Sequence, residues 1–209
     1  MESITTVREK APQSARNYGK TESIALRVDQ VSARGGQDGS YHLEPNGRYD
    51  TIGSSLDTGL VNNGFNRGMY RFVLEFDLGK LPKDALIQQA RLSLSPCSPS
   101  LAGKTTLAGF RGDGRVTEDD FSAGADIKTF TPSDAGTDAV DVTGFVVELL
   151  AEGAVWAGFC VRQNPLLDMG RSPANWHGPN SPNAPQLVIE FKRPRVYILA
   201  YLQKLVGLA

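Results

Sequence analysis

One stretch constrains the fold more than any other: residues 71–95, RFVLEFDLGKLPKDALIQQARLSLS. Its apolar residues alternate with other residues at a period of two, which is typical of strands with one buried face. The apolar residues on that face are Phe72, Leu74, Phe76, Leu92 and Leu94. Pro82 separates the two runs and rules out a continuous helix or a central strand between them. The stretch therefore predicts two antiparallel strands joined by a polar turn.

Similar runs follow as far as Phe191. Further strands are predicted at 105–111, 156–162 and 186–191, and residues 139–150 change from a strand into a helix that ends at Gly153. The sequence VTEDDF predicts a helical turn with Thr117 as its N-cap. The 22 Gly and 12 Pro residues suit many turns. We therefore predict an all-β protein, an antiparallel β-sandwich of the jelly-roll-like kind.

Composition divides the chain into three parts. Residues 1–65 are predicted to form an extended N-terminal arm with one possible strand at 23–31. Residues 66–192 are predicted to form the sandwich domain, and residues 193–209 a short C-terminal helix. We expect the arm to dock on its own sandwich, on a sister subunit or on a larger assembly. The tail helix is too short to span a bilayer, and its apolar stripe is predicted to make assembly contacts. That stripe consists of Leu199, Leu202, Leu205 and Val206.

Charge, targeting signals and cysteines exclude several classes of protein. The formal net charge of −1 does not favour nucleic acid as a partner. We find no secretory signal and no apolar run of membrane-spanning length, so we expect neither export by the usual route nor a membrane span. Cys97 and Cys160 lack the spacing of a zinc site. Cys160 is predicted to be a small buried hydrophobe, with a disulfide to Cys97 as the alternative.

Catalytic side chains are scarce. The chain has two histidines, His42 and His177, and no GxSxG motif around a serine nucleophile. We therefore predict a protein that is not an enzyme.

An acidic group suggests a different kind of site. Asp113, Asp119 and Asp120 lie close together in the sequence, near Glu118 and Asp126. Carboxylate oxygens are the ligands that calcium prefers. The group is either a structural calcium site or a solvated acidic surface.

The long irregular stretch 164–185 contains the predicted carbohydrate-binding residues. Sugar rings stack on exposed aromatic side chains while amide and guanidinium groups bind their hydroxyls. Trp176 is the aromatic side chain in this stretch, and the proposed set is Arg171, Asn175, Trp176 and His177. The alternative is that Trp176 anchors the loop. Trp156 lies among alternating apolar residues and is predicted to belong to the core.

A family resemblance covers residues 70–191. The succession RFVLEFDLGKLPKDALIQQARLSLS, VTEDDF, AVDVTGFVVELLAEGAVWAGFCV and NAPQLVIEF resembles the DNRLRE-type β-sandwich domains, which are related to disaggregatase-associated carbohydrate-binding modules. The resemblance implies a non-catalytic jelly roll, and some such domains bind polysaccharide. Two features depart from the family: Phe121 is the nearest aromatic residue where a tryptophan is usual, and NWHGPNSPNAP replaces the usual ending.

Four residues of this region have predicted structural roles. Arg71 is expected at the edge of a sheet, and Asp77 is expected to fix the turn that follows it. Asp141 and Thr143 are expected to cap the following helix. On this interpretation residues 71–95 are scaffold.

Two functions follow from these features. The first is a non-catalytic structural protein of a large homomeric assembly, for which we expect a bacteriophage virion, as a capsid decoration, connector or tail component. The second is a carbohydrate-binding module that recognises a polysaccharide at the cell surface or outside the cell.

Overall fold

The computed structural model is an all-β sandwich of two antiparallel sheets with one short helix, as predicted. It describes residues 18–37, 55–62, 67–97, 104–117, 119–133, 136–163 and 174–194. In chain order the elements are β1 (Tyr18–Arg27), β2 (Gln30–Gln37), β3 (Ser55–Asn62), β4 (Arg67–Asp77), β5 (Leu86–Leu94), β6 (Thr105–Gly112), β7 (Ala125–Phe130), β8 (Asp138–Asp141), α1 (Thr143–Ala151), β9 (Trp156–Gln163), β10 (Ala174–His177) and β11 (Gln186–Pro194).

The strands divide into a small and a large sheet. The first sheet has four strands in the order β1-β11-β5-β8. The second has seven: β10-β3-β4-β9-β6-β7 form one path, and β2 pairs with β4. All pairs are antiparallel, and Val140 of β8, Leu92 of β5 and Leu187 of β11 lie side by side across the first sheet.

The core lies between the two sheets and is built by the alternation seen in the sequence. Phe72, Leu74 and Phe76 of β4 are completely buried, as are Leu92 and Leu94 of β5. The turn between these strands is fixed by Asp77, as predicted: its Oδ1 accepts a hydrogen bond from the amide of Gly79 at 2.8 Å. Residues 71–95 therefore serve as scaffold.

Helix α1 closes one side of the sandwich where β8 ends. The Oδ1 atom of Asp141 accepts hydrogen bonds from the amide of Thr143 at 2.9 Å and from its hydroxyl at 2.6 Å. Gly153 ends the helix with φ +73°, and its amide donates to the carbonyl of Leu150 at 3.1 Å. Asp141 thus satisfies the first helical amide as predicted, and the predicted end is confirmed, whereas the Thr143 hydroxyl accepts from the amide of Ala90 in β5 and does not cap the helix. Phe145 packs edge-on against Phe159, with ring centroids 5.3 Å apart.

Replacing Asp141 with alanine should destabilise the protein by about 1 kcal/mol, the usual cost of losing a helix-capping side chain. The hydrogen bonds from the Thr143 hydroxyl and amide lower the pKa of Asp141. The carboxylate therefore stabilises the fold above its ordinary pKa, and this contribution is lost as the pH falls through its lowered value. Urea unfolding at neutral and acidic pH measures the effect. Asp84→Ala, at an exposed aspartate in a loop, is the matched control; equal losses in both variants would contradict the capping role.

The structure differs from the expected division of residues 1–65. Strands β1, β2 and β3 lie in this segment and pair with β11 and β4 of the sandwich. The possible strand at 23–31 covers parts of both β1 and β2. An edge strand leaves one edge and much of its surface in solvent, so a few apolar residues suffice to attach it to the core. In β1 these residues are Ile24 and Leu26. A polar composition therefore concealed these strands.

The predicted assembly residues of the tail, Leu199, Leu202, Leu205 and Val206, lie outside the described residues. Within the described part of the chain, no helix is long and apolar enough to cross a membrane.

Candidate functional site

Trp176, the predicted sugar platform, is a core residue. Its side chain is 0% exposed. The indole Nε1 donates a hydrogen bond to Thr58 Oγ1 at 3.1 Å. The ring meets Phe72 and Phe130 edge-on, with centroids 6.4 and 6.2 Å away. The expectation of an exposed platform is corrected here, because a ring enclosed by these partners presents no face to a ligand.

Strand β10 holds Trp176 in this position by bridging the two sheets. It pairs with β3 along its length. On its other edge, the amide of His177 donates to the carbonyl of Ser95, and the amide of Cys97 donates to the carbonyl of Asn175, both at 2.8 Å. Strand β10 and residues 95–97 thus form a short antiparallel ladder, which directs alternate side chains of β10 into the core.

The other members of the predicted set do not gather around Trp176. Asn175 is exposed, and His177 is half-buried with its Nδ1 2.7 Å from the hydroxyl of Ser181. Arg171 lies outside the described residues. No aromatic side chain whose exposure the structure describes lies open to solvent. Trp176 and its predicted partners therefore do not form a stacking surface for a sugar.

The contact between Ser181 and His177 belongs to a local turn. The Ser181 hydroxyl also accepts a hydrogen bond from the amide of Asn183 at 3.2 Å, and the Ser181 amide donates to the carbonyl of Gly178 at 3.0 Å. A serine nucleophile needs a histidine that a third group orients. No such group contacts His177 in the part of the chain that is described.

The acidic residues predicted to bind calcium take part in turns. The Oδ1 atom of Asp113 accepts from the amide of Arg115 at 2.9 Å. The Oδ2 atom of Asp120 accepts from the amide and the hydroxyl of Thr117, at 2.6 and 3.1 Å. The helical turn is a 3-10 turn at Asp119–Phe121, and here Thr117 donates to the turn's carboxylate instead of accepting as an N-cap.

These carboxylates do not converge. Asp119 uses its backbone carbonyl to accept from Ser122, and Asp126 forms an ion pair with Arg162. Glu118 is not among the described residues. Within the described ranges, no three histidine, cysteine, aspartate or glutamate side chains lie close enough to hold a metal ion. We therefore assign Asp113 and Asp120 to the turns that they stabilise.

A second apolar cluster, which the sequence pattern did not predict, lies on the outer face of the second sheet. We call it the outer cluster; its buried residues are Val73, Ala108, Phe110, Phe121 and Cys160, with Val116 and Ala123 packed against them. Val73, Cys160 and Ala108 are neighbours across β4, β9 and β6. Phe110 lies further along β6, and the remaining members belong to residues 113–124, which we call the cover segment and of which residue 118 is not described. The cover segment shields this face of the sheet from solvent.

Arg71 ties the cover segment to the sheet. It was expected at a sheet edge, but β4 has β2 on one side and β9 on the other, so this expectation was wrong. Its Nη1 donates to the carbonyl of Phe121 at 2.8 Å. Burial is the main cause that lowers the pKa of Arg71. The guanidinium therefore sits under the cover segment, where it binds the backbone.

Glu75 is the most unusual polar residue of this face. It is 0% exposed, its Oε1 accepts from the amide of Asp113 at 3.2 Å, and its Oε2 has no hydrogen-bond partner. Burial is the main cause that raises its pKa, and the charges of Asp120 and Asp113 add to this effect. The hydrogen bond from the Asp113 amide works in the opposite direction. Such a carboxyl favours its neutral form.

The surroundings of Glu75 are crowded and apolar. Gly158 lies opposite it on β9, and a Cβ there would come within 2.8 Å of the Phe110 ring. A Cβ at Gly114 would meet the ring of Trp156 at 2.8 Å. Trp156, predicted to be core, is half-buried and packs against the start of the cover segment. Any movement that brings water to Glu75 therefore has to displace this segment.

No disulfide joins the two cysteines. Cys160 is buried, as predicted, and Cys97 is exposed, so the alternative of a disulfide between them is excluded. The Cys160 thiol donates to the carbonyl of Phe121 at 3.4 Å. Burial raises the pKa of Cys160 to about 11. The thiol is therefore unreactive while the cover segment is in place.

No protein-family model matches the chain, and no curated protein matches its sequence. The resemblance to DNRLRE-type domains stays a prediction.

Proposed function

We propose that this protein is a non-catalytic structural subunit of a large homomeric assembly, with a bacteriophage virion as its setting. The observation that carries the proposal is that the residues predicted to form ligand sites make hydrogen bonds within the fold instead. Trp176 bonds Thr58 in the core, and Asp113 and Asp120 bond within turns. These side chains hold the fold together, which is what a structural body requires.

The architecture supports a rigid building block. Strand β10 bonds to both β3 and the segment after β5, so it ties the two sheets together. Helix α1 closes another side, with Val146 and Leu149 buried in the core. A closely packed interior deforms little under load.

Surfaces suited to neighbours are also present. Among the side chains whose exposure is described, three large apolar ones are exposed: Leu86 at 41%, Val147 at 43% and Val155 at 54%. Strand β1 pairs only with β11, and β7 only with β6, among the described residues. An open strand edge accepts a strand from another chain unless something protects it. These features favour contacts between copies of the chain.

A virion is a more specific assignment than a homomeric assembly, and its support comes from the sequence. A non-catalytic sandwich with a predicted apolar tail would suit a particle built from many copies, because the tail could be buried on a neighbouring copy. Association with particles is the observation that would distinguish a virion protein from another homomeric assembly.

Light scattering of the purified full chain across a range of concentrations tests the proposal. We expect a defined oligomer. A version without residues 1–17 and 195–209 keeps every described strand, so we expect it to stay folded and, without the predicted apolar tail, to form smaller oligomers than the full chain. A monomeric full chain at all concentrations would contradict an assembly role. Polysaccharide binding would then be tested on a glycan array with Asn175→Ala as the control.

A further inference from the structure

We propose that the cover segment is a pH-controlled lid, which stays closed while Glu75 is neutral and opens off the outer cluster when Glu75 ionises. This device goes beyond the proposed function and does not depend on it. Opening would expose apolar side chains of the second sheet that the segment now shields.

The cover segment is held by contacts that a local movement can break together. The Phe121 carbonyl accepts from Arg71 and from the Cys160 thiol, at 2.8 and 3.4 Å. At the other end of the segment, the Asp113 amide donates to Glu75 at 3.2 Å. Between these points Phe121, 6% exposed, inserts its ring into the outer cluster. The closed state therefore combines apolar burial with one bond to a titratable carboxyl.

Among the side chains that the structure describes, no positive group contributes to stabilising a charge on Glu75. Gly158 is its neighbour on β9, and the cover segment brings the carboxylates of Asp113 and Asp120. On the β2 side, the Asp29 amide donates to the Glu75 carbonyl, and the Asp29 carboxylate pairs with Lys80.

Within β4 itself, Arg71 lies on the same face four residues earlier, about 13 Å along the strand, and binds the Phe121 carbonyl. Asp77, on the same face two residues later, adds a further carboxylate. An ionised Glu75 would thus be buried with an unpartnered oxygen among like charges.

The direction of the pH effect follows from the raised pKa of Glu75 in the closed state. When the lid opens, Glu75 reaches water and regains its ordinary pKa. The free energy that favours the closed state over the open one is therefore largest below the ordinary pKa of glutamate. It decreases as the pH rises through the raised pKa of Glu75 in the closed state. Each unit of pKa displacement increases the population of the open state about tenfold.

Cys160 reports the opening, because its thiol lies directly under the Phe121 carbonyl. The experiment uses the full chain with Cys97→Ser, which leaves Cys160 as the single thiol. Labelling with 2,2′-dithiodipyridine, which reacts with thiols in mildly acidic solution, is followed from pH 4 to pH 8, values that span the ordinary range of glutamate and histidine (roughly 4–7). EDTA in the buffer removes divalent cations. Rates are divided by those of the unfolded chain at the same pH.

We expect the normalised rate to rise across this range and then to level off, and the ratio of the two plateaus gives the displacement of the Glu75 pKa, at about tenfold per unit. In Glu75→Gln, which keeps the shape and removes the charge, we expect a flat profile at the low-pH rate. Glu148→Gln, an exposed position on α1, should behave like the parent. A flat profile in the parent, or an equal rise in Glu75→Gln, would overturn the proposal.

Global unfolding is separated from lid opening by adding urea. Labelling through a local opening depends weakly on urea, whereas labelling through unfolding follows the full unfolding slope. A rate that follows the full slope at every pH would also overturn the proposal. Hydrogen exchange of the amides of residues 113–124 in the unsubstituted protein gives a second reading: their protection should fall with pH, after correction for intrinsic rates, while protection of β5 stays constant.

Discussion

Replacing Trp176 with alanine is expected to lower the free energy of unfolding by about 3–5 kcal/mol, a large part of the stability of a domain. The indole fills the core between Phe72 and Phe130, and its N–H satisfies the buried hydroxyl of Thr58. Alanine would leave a cavity and would remove the anchor of β10. Chemical denaturation measured by circular dichroism gives the change directly.

Trp176→Phe separates the two parts of this effect. Phenylalanine keeps much of the ring volume but loses the hydrogen bond to Thr58, so a cost of about 1–3 kcal/mol is expected. Asn175→Ala, on the exposed side of β10, should change stability little. The result also distinguishes two roles of Trp176. A sugar platform replaced by alanine would lose binding and keep its stability, and that outcome would contradict the core role.

The sequence contained a weak signal for this role. ANWH alternates, and Ala174 and Trp176 share one face that the structure buries completely. Four residues are too few to distinguish a strand from a loop, and the surrounding Pro, Asn and Gly residues favoured a loop. The pairing with β3 and with Ser95 and Cys97 is long-range, and periodicity does not report it.

The strands that could be predicted are those with two or more apolar residues facing the core in alternation. Residues 71–95 meet this condition, and β4 and β5 form there. Strand β1 meets it with Ile24 and Leu26, and the predicted strand at 23–31 covers part of β1, whereas no strand was predicted at β3. The helix was predictable because Asp141, Thr143 and Gly153 are local signals that act within a few residues.

The outer cluster was not predictable for a different reason. Alternation places Glu75 and Arg71 on the polar face of β4, where residues are normally solvated. The cover segment, some 40 residues later in the chain, converts that face into a buried one. Burial of Glu75 is thus a property of the tertiary structure. The raised pKa that follows from burial has no counterpart in the sequence.

The second large effect is expected at Gly124, where the cover segment ends and β7 begins. Gly124→Ala should lower the free energy of unfolding by about 2–5 kcal/mol, because it combines backbone strain with overpacking. Gly124 has φ +89°, a conformation that L side chains rarely adopt. A Cβ there would also lie 2.7 Å from the carbonyl carbon of Gly109 in β6. That neighbour is backbone, so it cannot rotate away.

Gly136→Ala is the matched control, because Gly136 has φ +103° but no atom within 4 Å of an added Cβ. It should show the strain alone, about 1–2 kcal/mol. The difference between the variants then measures the close approach of Gly124 to β6. Equal losses would mean that β6 and β7 separate easily. In that case the cover segment would lack a firm attachment at its C-terminal end, where β7 begins.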